Sequence, residues 1–433
     1  MRNGAAREVA VDAGARDAAP GEAPLALGWD GIAAILILIV AAAPVRGWMT
    51  EPGLVDQLSR ALWWLIYVAA ALRLVQQSGT EWLRWTTRHQ PALCVLLALT
   101  VASCLWSLAP LLTLQRAASL LGTTMVGLFI GYSLPPQRLM RVLFWTFTLV
   151  MLCSVVVALA FPETILAPGQ PVGWRGIMTH KNTFGATAVV ATIFFLTLAW
   201  WRVQPLWSAG LSALCLLAVV QAHSRTAVVA LVFILIAFVL LAIAWRARRP
   251  IRGVVRPLSI ALVLAVSALP LLIGPIAAVL GNDDPLNGRT HLWDGAVTIL
   301  HERPLTGYGY AVVWGRGTAT LLPNIPVTAH RSASTAHNSI VHVASELGIP
   351  AAIVACIYLF GSLVSAGRLF ERTPSPFAFF ALLFLVGFAV MCFSEAHLLQ
   401  IHWLFWILFV AVTVAVARAL SGGPPAARDE GAA

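Results

Sequence analysis

Apolar stretches of about 20 residues recur along the whole of this chain, each long enough to cross a hydrocarbon core as a helix. They fall at roughly 27–45, 58–76, 91–109, 113–132, 139–161, 183–201, 206–222, 226–245, 257–280, 338–366, 376–394 and 399–418. The centre of a bilayer offers no water to pair with backbone N–H and C=O groups, so such segments are confined to helices that satisfy those groups internally. Only 11% of the residues are charged, against about 25% in soluble domains, which excludes an ordinary globular enzyme. The sequence therefore predicts an all-α polytopic membrane protein with about 12 transmembrane helices. Residues 1–25 are expected to be a disordered cytoplasmic tail, 26–280 to carry nine spans, and 281–336 to form one large extra-membrane loop with short helices. Residues 337–420 are expected to add three spans, and 421–433 a second tail. No period of about 20–50 residues repeats, which excludes a solenoid.

Orientation follows from the arginines, because short cytoplasmic loops collect basic residues. Arg84, Arg88, Arg138, Arg141, Arg202, Arg246, Arg248, Arg249, Arg252, Arg256, Arg368 and Arg372 all fall in loops on one side, which puts both termini in the cytoplasm and the large loop on the outer side. The formal charge of +10 is then chiefly a topology signal, and no nucleic-acid partner is implied. Arg175, Lys181 (the only lysine), Arg225, Arg289, Arg303, Arg316 and Arg331 break the rule by lying outside. An anionic ligand on that side is the simplest reason for them. His180, His223, His291, His301, His330, His337, His397 and His402 sort to the same outer face, and His89 to the inner one. The six cysteines lie inside apolar runs with no CxxC pair, so they read as small core residues rather than disulfides or zinc ligands.

Five polar motifs interrupt this pattern. Gly173-Trp174-Arg175-Gly176 through His180-Lys181-Asn182 leads into a membrane helix, whose free N–H groups and dipole suit a phosphate; the alternative is an interfacial anchor. His223-Ser224-Arg225-Thr226 is squeezed between two apolar runs, and an arginine at that depth pairs, lines a wet cavity or snorkels. Asn287-Gly288-Arg289-Thr290 precedes Leu292, Trp293, Ala296, Val297 and Leu300 at helical spacing. A surface helix is expected from near Thr290 to before Pro304, with Arg289 at its start; otherwise the arginine is a solvated loop residue. Thr335-Ala336-His337-Asn338-Ser339 opens the next helix and leaves His337 at the water boundary, suited to accept a proton, while His342 and Glu346 are spaced to pair four residues apart. Gly307-Tyr308-Gly309-Tyr310 combines a tight turn with two aromatics that, if exposed, offer flat faces for sugar stacking. Asp283-Asp284 sits in a turn-forming Gly-Asn-Asp-Asp-Pro string, more often turn chemistry than a metal site, and no metal or cofactor is assigned. Walker, GxGxxG, GxSxG and HExxH strings are absent.

Taken in order, Thr179-His180-Lys181-Asn182, His223-Ser224-Arg225-Thr226, Gly288-Arg289-Thr290, Arg303-Pro304-Leu305-Thr306-Gly307-Tyr308-Gly309, Ala336-His337-Asn338-Ser339 and Glu346-Leu347-Gly348 resemble the O-antigen ligase family. That family also holds O-antigen polymerases and exopolysaccharide polymerases. The resemblance spans about Gly173 to Phe409 and rests on motif order around one loop. It implies a GT-C-like fold of about a dozen helices in the bacterial inner membrane. It also implies metal-independent, inverting transfer of a glycan from undecaprenyl pyrophosphate to a lipid A–core or glycan hydroxyl. His337 matches the family's essential histidine, and Arg225 and Arg289 its pyrophosphate-contacting arginines. Lys181, Arg175 and His180 join them as candidate pyrophosphate ligands; Asn338, Tyr308 and Tyr310 are candidate sugar contacts. The competing class is a transporter or flippase of a lipid-linked or anionic substrate, which places its polar site near the midplane of two related halves. Here no halves resemble each other, and the polar residues gather at one face.

The topology has a direct test. A single cysteine at Gly317, in a background without the native cysteines, is expected to react with a membrane-impermeant thiol reagent in intact spheroplasts; protection there reverses the orientation.

Overall fold

The structure is a computed structural model that describes residues 27–42, 52–161, 172–247, 289–314 and 335–422. The run expected at 257–280, the Asp283-Asp284 turn, Arg316 and Arg331 lie outside the described residues. Every regular element described is helical: α1 Gly28–Ala42, α2 Pro52–Ser78, α3 Glu81–His89, α4 Pro91–Ala102, α5 Pro110–Ser133, α6 Pro136–Ala160, α7 Lys181–Trp200, α8 Pro205–Gln221, α9 Arg225–Arg246, α10 Arg289–Glu302, α11 Ser339–Leu347, α12 Ile349–Arg372, α13 Pro376–Met391 and α14 Leu404–Ser421. Proline in the first turn sets where α4, α5, α6, α8, α12 and α13 start, because its fixed φ suits a helix start and its missing N–H is unneeded there. Among the described residues, six helices have the length and apolarity to cross a membrane: Gln57–Ser78, Pro136–Ala160, Lys181–Trp200, Arg225–Arg246, Ile349–Arg372 and Leu404–Ser421. α3 and the helix after it form a seventh candidate, bent by 101°. This is a multi-pass membrane protein.

Burial orders the bundle. In α13 every residue from Phe377 to Met391 is buried, and in α14 every residue from Leu404 to Val416; helices apolar all round are central ones. α2 and α9 instead expose Leu65, Val68, Leu72, Val75, Val232, Ile236 and Val239, side chains suited to lipid. Lipid is as apolar as leucine, so helix association rests on close packing rather than on the hydrophobic effect. Gly127 and Gly131 of α5 supply it, at the four-residue spacing that lets two backbones approach. A Cβ on Gly131 would overlap the Ala411 carbonyl oxygen and sit 2.9 Å from Val414 Cβ of α14.

The helix ends sort into two faces. At one, Trp201 and Trp245 rings lie 5.9 Å apart and Trp245 and Phe370 5.6 Å apart, and Arg246 lies 4.4 Å over Trp200. The C-terminal ends of α7, α9 and α12 therefore meet, together with their basic residues. Their N-terminal ends share the opposite face with the polar motifs.

One expectation is corrected. The run 338–366 is not one helix: it breaks at Gly348, whose φ of 87° and close approach to the Leu305 carbonyl separate α11 from α12. Pro350 in the first turn of α12 cannot continue a preceding helix without loss of a hydrogen bond.

Gly131→Ala is expected to destabilise the protein by about 1–3 kcal/mol through overpacking. Gly361→Ala, where nothing lies within 4 Å of the added methyl, serves as the control. Melting curves of the two variants in detergent separate these outcomes.

Candidate active site at the helix starts

The polar face is assembled from helix caps. His180 accepts the Asn182 N–H at 3.1 Å and so caps α7. Ser224 caps α9 through the Ala227 N–H, and Asn338 caps α11 by accepting from Ile340 and Val341 at 3.0 and 3.1 Å. Each cap satisfies amides that a helix leaves unpaired at its start. The caps are also joined to one another. Lys181 donates to the Val172 carbonyl at 3.0 Å and to the His223 carbonyl at 3.2 Å, and Trp174 N–H donates to the Gln221 carbonyl at 2.9 Å. Gly185 of α7 approaches Ser224 so closely that a Cβ would lie 3.1 Å from the serine Cβ. The first turns of α7 and α9 are thus one unit, with Arg225 as the exposed first residue of α9.

His337 closes this unit from the other side. Its Nδ1 lies 2.9 Å from Glu395 Oε2, and Asn182 Nδ2 donates to Glu395 Oε1 at 2.9 Å. Glu395 therefore ties the start of α7 to the residue just ahead of α11. His337 itself is in the left-handed region, φ 47°, which costs a non-glycine residue about 1–2 kcal/mol. The backbone around it is pinned accordingly. Thr335 Oγ1 accepts the His337 N–H at 3.3 Å, Ser339 N–H donates to the Cys392 carbonyl at 2.7 Å, Ser339 Oγ donates to the Glu395 carbonyl at 2.9 Å, and His397 N–H donates to Ser339 Oγ at 2.8 Å. The imidazole remains 31% exposed.

α10 brings in the third basic residue. Its observed bounds match the expected surface helix, and Arg289 is its first residue. One turn on, Trp293 Nε1–H donates to the Ala336 carbonyl at 3.0 Å, so the start of α10 adjoins His337. The buried face of α10 is Leu292, Ala296 and Ile299, which pack with Tyr308, Val313, Trp314 and Ala336 in a small cluster of their own. Val297 and Leu300 face instead an apolar groove of about 570 Å³, whose walls include Ile340, Val341, Ala344 and Ile353.

Tyr308 and Tyr310 were expected to be exposed, and that expectation is corrected: they are 4% and 2% exposed. Tyr310 OH donates to the Leu399 carbonyl at 2.6 Å, and Tyr308 OH donates to Glu302 while Arg303 lies 4.8 Å over its ring. Burial, reinforced by the Glu302 carboxylate, pushes the Tyr308 phenol up to about 12, so it remains a donor. Gly307 and Gly309, before and between the tyrosines, let the chain lie flat on Glu346 and Ser107, and the rings turn inward. Trp106 Nε1 donates to the Thr306 carbonyl at 2.8 Å, Tyr310 N–H donates to Ser103 Oγ at 3.0 Å, and Gly309 N–H donates to the Glu346 carbonyl at 2.9 Å. Glu346 accepts backbone hydrogen bonds from Ala311 and Trp314, with His342 Nε2 3.6 Å from its other oxygen. At that distance the pair expected from spacing is a close approach without a hydrogen bond: His342 Nε2 lies 3.1 Å from Gln400 Nε2, and Glu346 Oε1 has no hydrogen-bond partner among the described residues. Arg116, a polar oddity in the first half of the chain, donates to the Ala311 carbonyl. Arg175 is half-buried in the turn before α7, where its carbonyl accepts the Met178 N–H at 3.0 Å. Asn338 is 7% exposed, its side-chain oxygen occupied by the cap.

Sequence reasoning singled out Lys181, Arg225, Arg289 and His337 and missed Glu395. A signal existed: apart from Glu371, it is the only carboxylate between Leu347 and Ser421, and it stands at the mouth of a span, where an acid calls for a partner. What one sequence does not show is that the partner is 58 residues away. Among the described residues, no group of three His, Cys, Asp or Glu side chains could hold a metal ion.

Residues 210–356 match the family model described as O-Antigen ligase. That segment contains α9, α10, α11 and His337. A comparison with curated proteins finds no match.

Arg116→Met removes the donor under the 303–314 loop and leaves the partly buried Ala311 carbonyl short of a partner. A loss of about 1–3 kcal/mol is expected, read as a lower detergent melting temperature with faster proteolysis of the loop. Membrane insertion is expected to be unchanged.

Proposed function

We propose that this chain is a member of the O-antigen ligase family, whose model matches residues 210–356, and that it transfers a glycan from undecaprenyl pyrophosphate to an acceptor hydroxyl at the periplasmic face of the inner membrane. Ligase- or polymerase-type glycosyl transfer is the activity the family carries. The lipid A–core acceptor, which makes this copy a ligase, is the preferred version; a second glycan repeat as acceptor makes it a polymerase on the same site. The observation that carries the reading is the junction of the α7, α9 and α11 starts around one half-exposed imidazole.

The chemistry follows from charge. As the acceptor oxygen bonds to the anomeric carbon, the bond from that carbon to the pyrophosphate breaks and negative charge collects on the leaving lipid. Arg225 and Arg289, each the first residue of a helix, stand where guanidinium and helix-end amides act together on phosphate. Stabilisation of charge that develops only on departure lowers the barrier, and in this reading the arginines supply it without a metal. Lys181 and His180 are already bonded to backbone, so they shape the anion site as much as contact it. The acceptor proton passes to His337 Nε2, which acts as general base, and attack from the opposite side inverts the anomeric centre. The apolar groove beside Ile340 and Val341, the third and fourth residues after His337, suits a substrate whose pyrophosphate is attached to a lipid chain.

His337→Ala, Arg225→Ala and Arg289→Ala are each expected to lower transfer in isolated membranes by at least about two orders of magnitude, with expression and insertion unchanged. Product at near wild-type levels from His337→Ala removes the general base, and the proposed mechanism with it.

A further inference from the structure

The proton transfer assigned above to His337 needs more than a histidine in the right place. A neutral imidazole carries its proton on one nitrogen and its lone pair on the other, and only one of the two arrangements makes Nε2 a base. We propose that Glu395 is the positioning residue that fixes this arrangement, holding the proton on His337 Nδ1 and leaving the Nε2 lone pair for the acceptor hydroxyl. The inference rests on the transfer reaction proposed above.

Three observations support it. An ionised carboxylate only accepts hydrogen bonds. Glu395 Oε1 takes the Asn182 amide and Oε2 lies 2.9 Å from His337 Nδ1, so Nδ1 is the donor. Next, His337 Nε2 has no hydrogen-bond partner among the described residues while the ring is 31% exposed, so the free nitrogen is the one a substrate can reach. Finally, the carboxylate is itself held at both ends. Its backbone carbonyl accepts from Ser339 Oγ and its side chain from Asn182, which fixes the ring against rotation in a strained backbone. When the acceptor O–H bond breaks, its proton moves to Nε2 and the oxygen electron pair forms the bond to the anomeric carbon. The imidazolium so formed faces a carboxylate at 2.9 Å. Glu395 touches no reacting atom.

The experiment compares Glu395→Gln with Glu395→Asp in purified, full-length protein, using a lipid pyrophosphate-linked glycan as donor. Glutamine has one acceptor oxygen for two donors, so its amide N–H turns toward His337 Nδ1 or Asn182. Glu395→Gln is expected to lower kcat by about 100-fold or more with the donor KM within about threefold of wild type, and Glu395→Asp to regain at least tenfold of that loss. A purely structural tie would move stability, or KM and kcat together, and would not distinguish carboxylate from amide. Wild-type turnover in Glu395→Gln, a loss confined to KM, or equal activity in Gln and Asp variants overturns the proposal. If Glu395→Gln does not yield monodisperse protein, Asn182→Ala replaces it. That variant deletes the Asn182 hydrogen bond on the carboxylate, and an unchanged kcat there is equally fatal. His337→Ala run alongside separates the two levels: an inactive His337→Ala with a fully active Glu395→Gln discards Glu395 alone, and two fully active variants discard the general base as well.

Discussion

Backbone amides cannot be left unpaired in hydrocarbon, and that constraint organises this protein. Between the helices it is met by capping side chains and by carbonyls of neighbouring turns. The outer segments 303–314, 335–339 and 392–402 are irregular, yet nearly every described turn in them is bonded to another segment. Ser339 alone joins the entry to α11 to the Cys392–His397 turn through three hydrogen bonds. The candidate site residues therefore stand on a rigid floor although they are carried by loops and helix ends, and a strained His337 can persist there because its surroundings over-determine it.

Much of this architecture was legible in the sequence. Apolar runs of about 20 residues marked most of the long helices, and Asn338, Ser224 and His180 were visible as residues next to helix starts. The surface helix after Asn287-Gly288 was found with its bounds nearly correct, because its apolar residues repeat at helical spacing. Its buried face was placed less well. Val297 and Leu300 fit the periodic pattern, but Ile299 rather than Val297 packs under the loop. One stripe of a helix looks the same to a sequence whether it meets protein or an open groove.

The misreadings share a cause. Tyr308 and Tyr310 in a Gly-Tyr-Gly-Tyr string look exposed, and tertiary contacts bury them: Tyr308 packs under α10, and Tyr310 bonds to Ser103 and Leu399. Glu395 looked like one more acid at a span boundary until Asn182 and His337 appeared on its two oxygens. Local chemistry predicts what a residue can bond to, and the fold decides which of the possible partners arrives. The break at Gly348 lies between these cases: Gly-Ile-Pro was written in the sequence, but the unbroken apolarity around it favoured one long helix.

The contact between Arg116 and Ala311 reaches from the early part of the chain to the late part. Together with Ser103 and Trp106 it makes the front of the bundle, which carries almost no recognisable motif, the bed on which the 303–314 loop lies. The segment richest in recognisable residues is therefore not self-sufficient. Transplanted without α4 and α5 it would keep its cations and its histidine while losing the surface that aligns them, so variation in the front helices is a means of retuning the proposed chemistry without touching a candidate site residue.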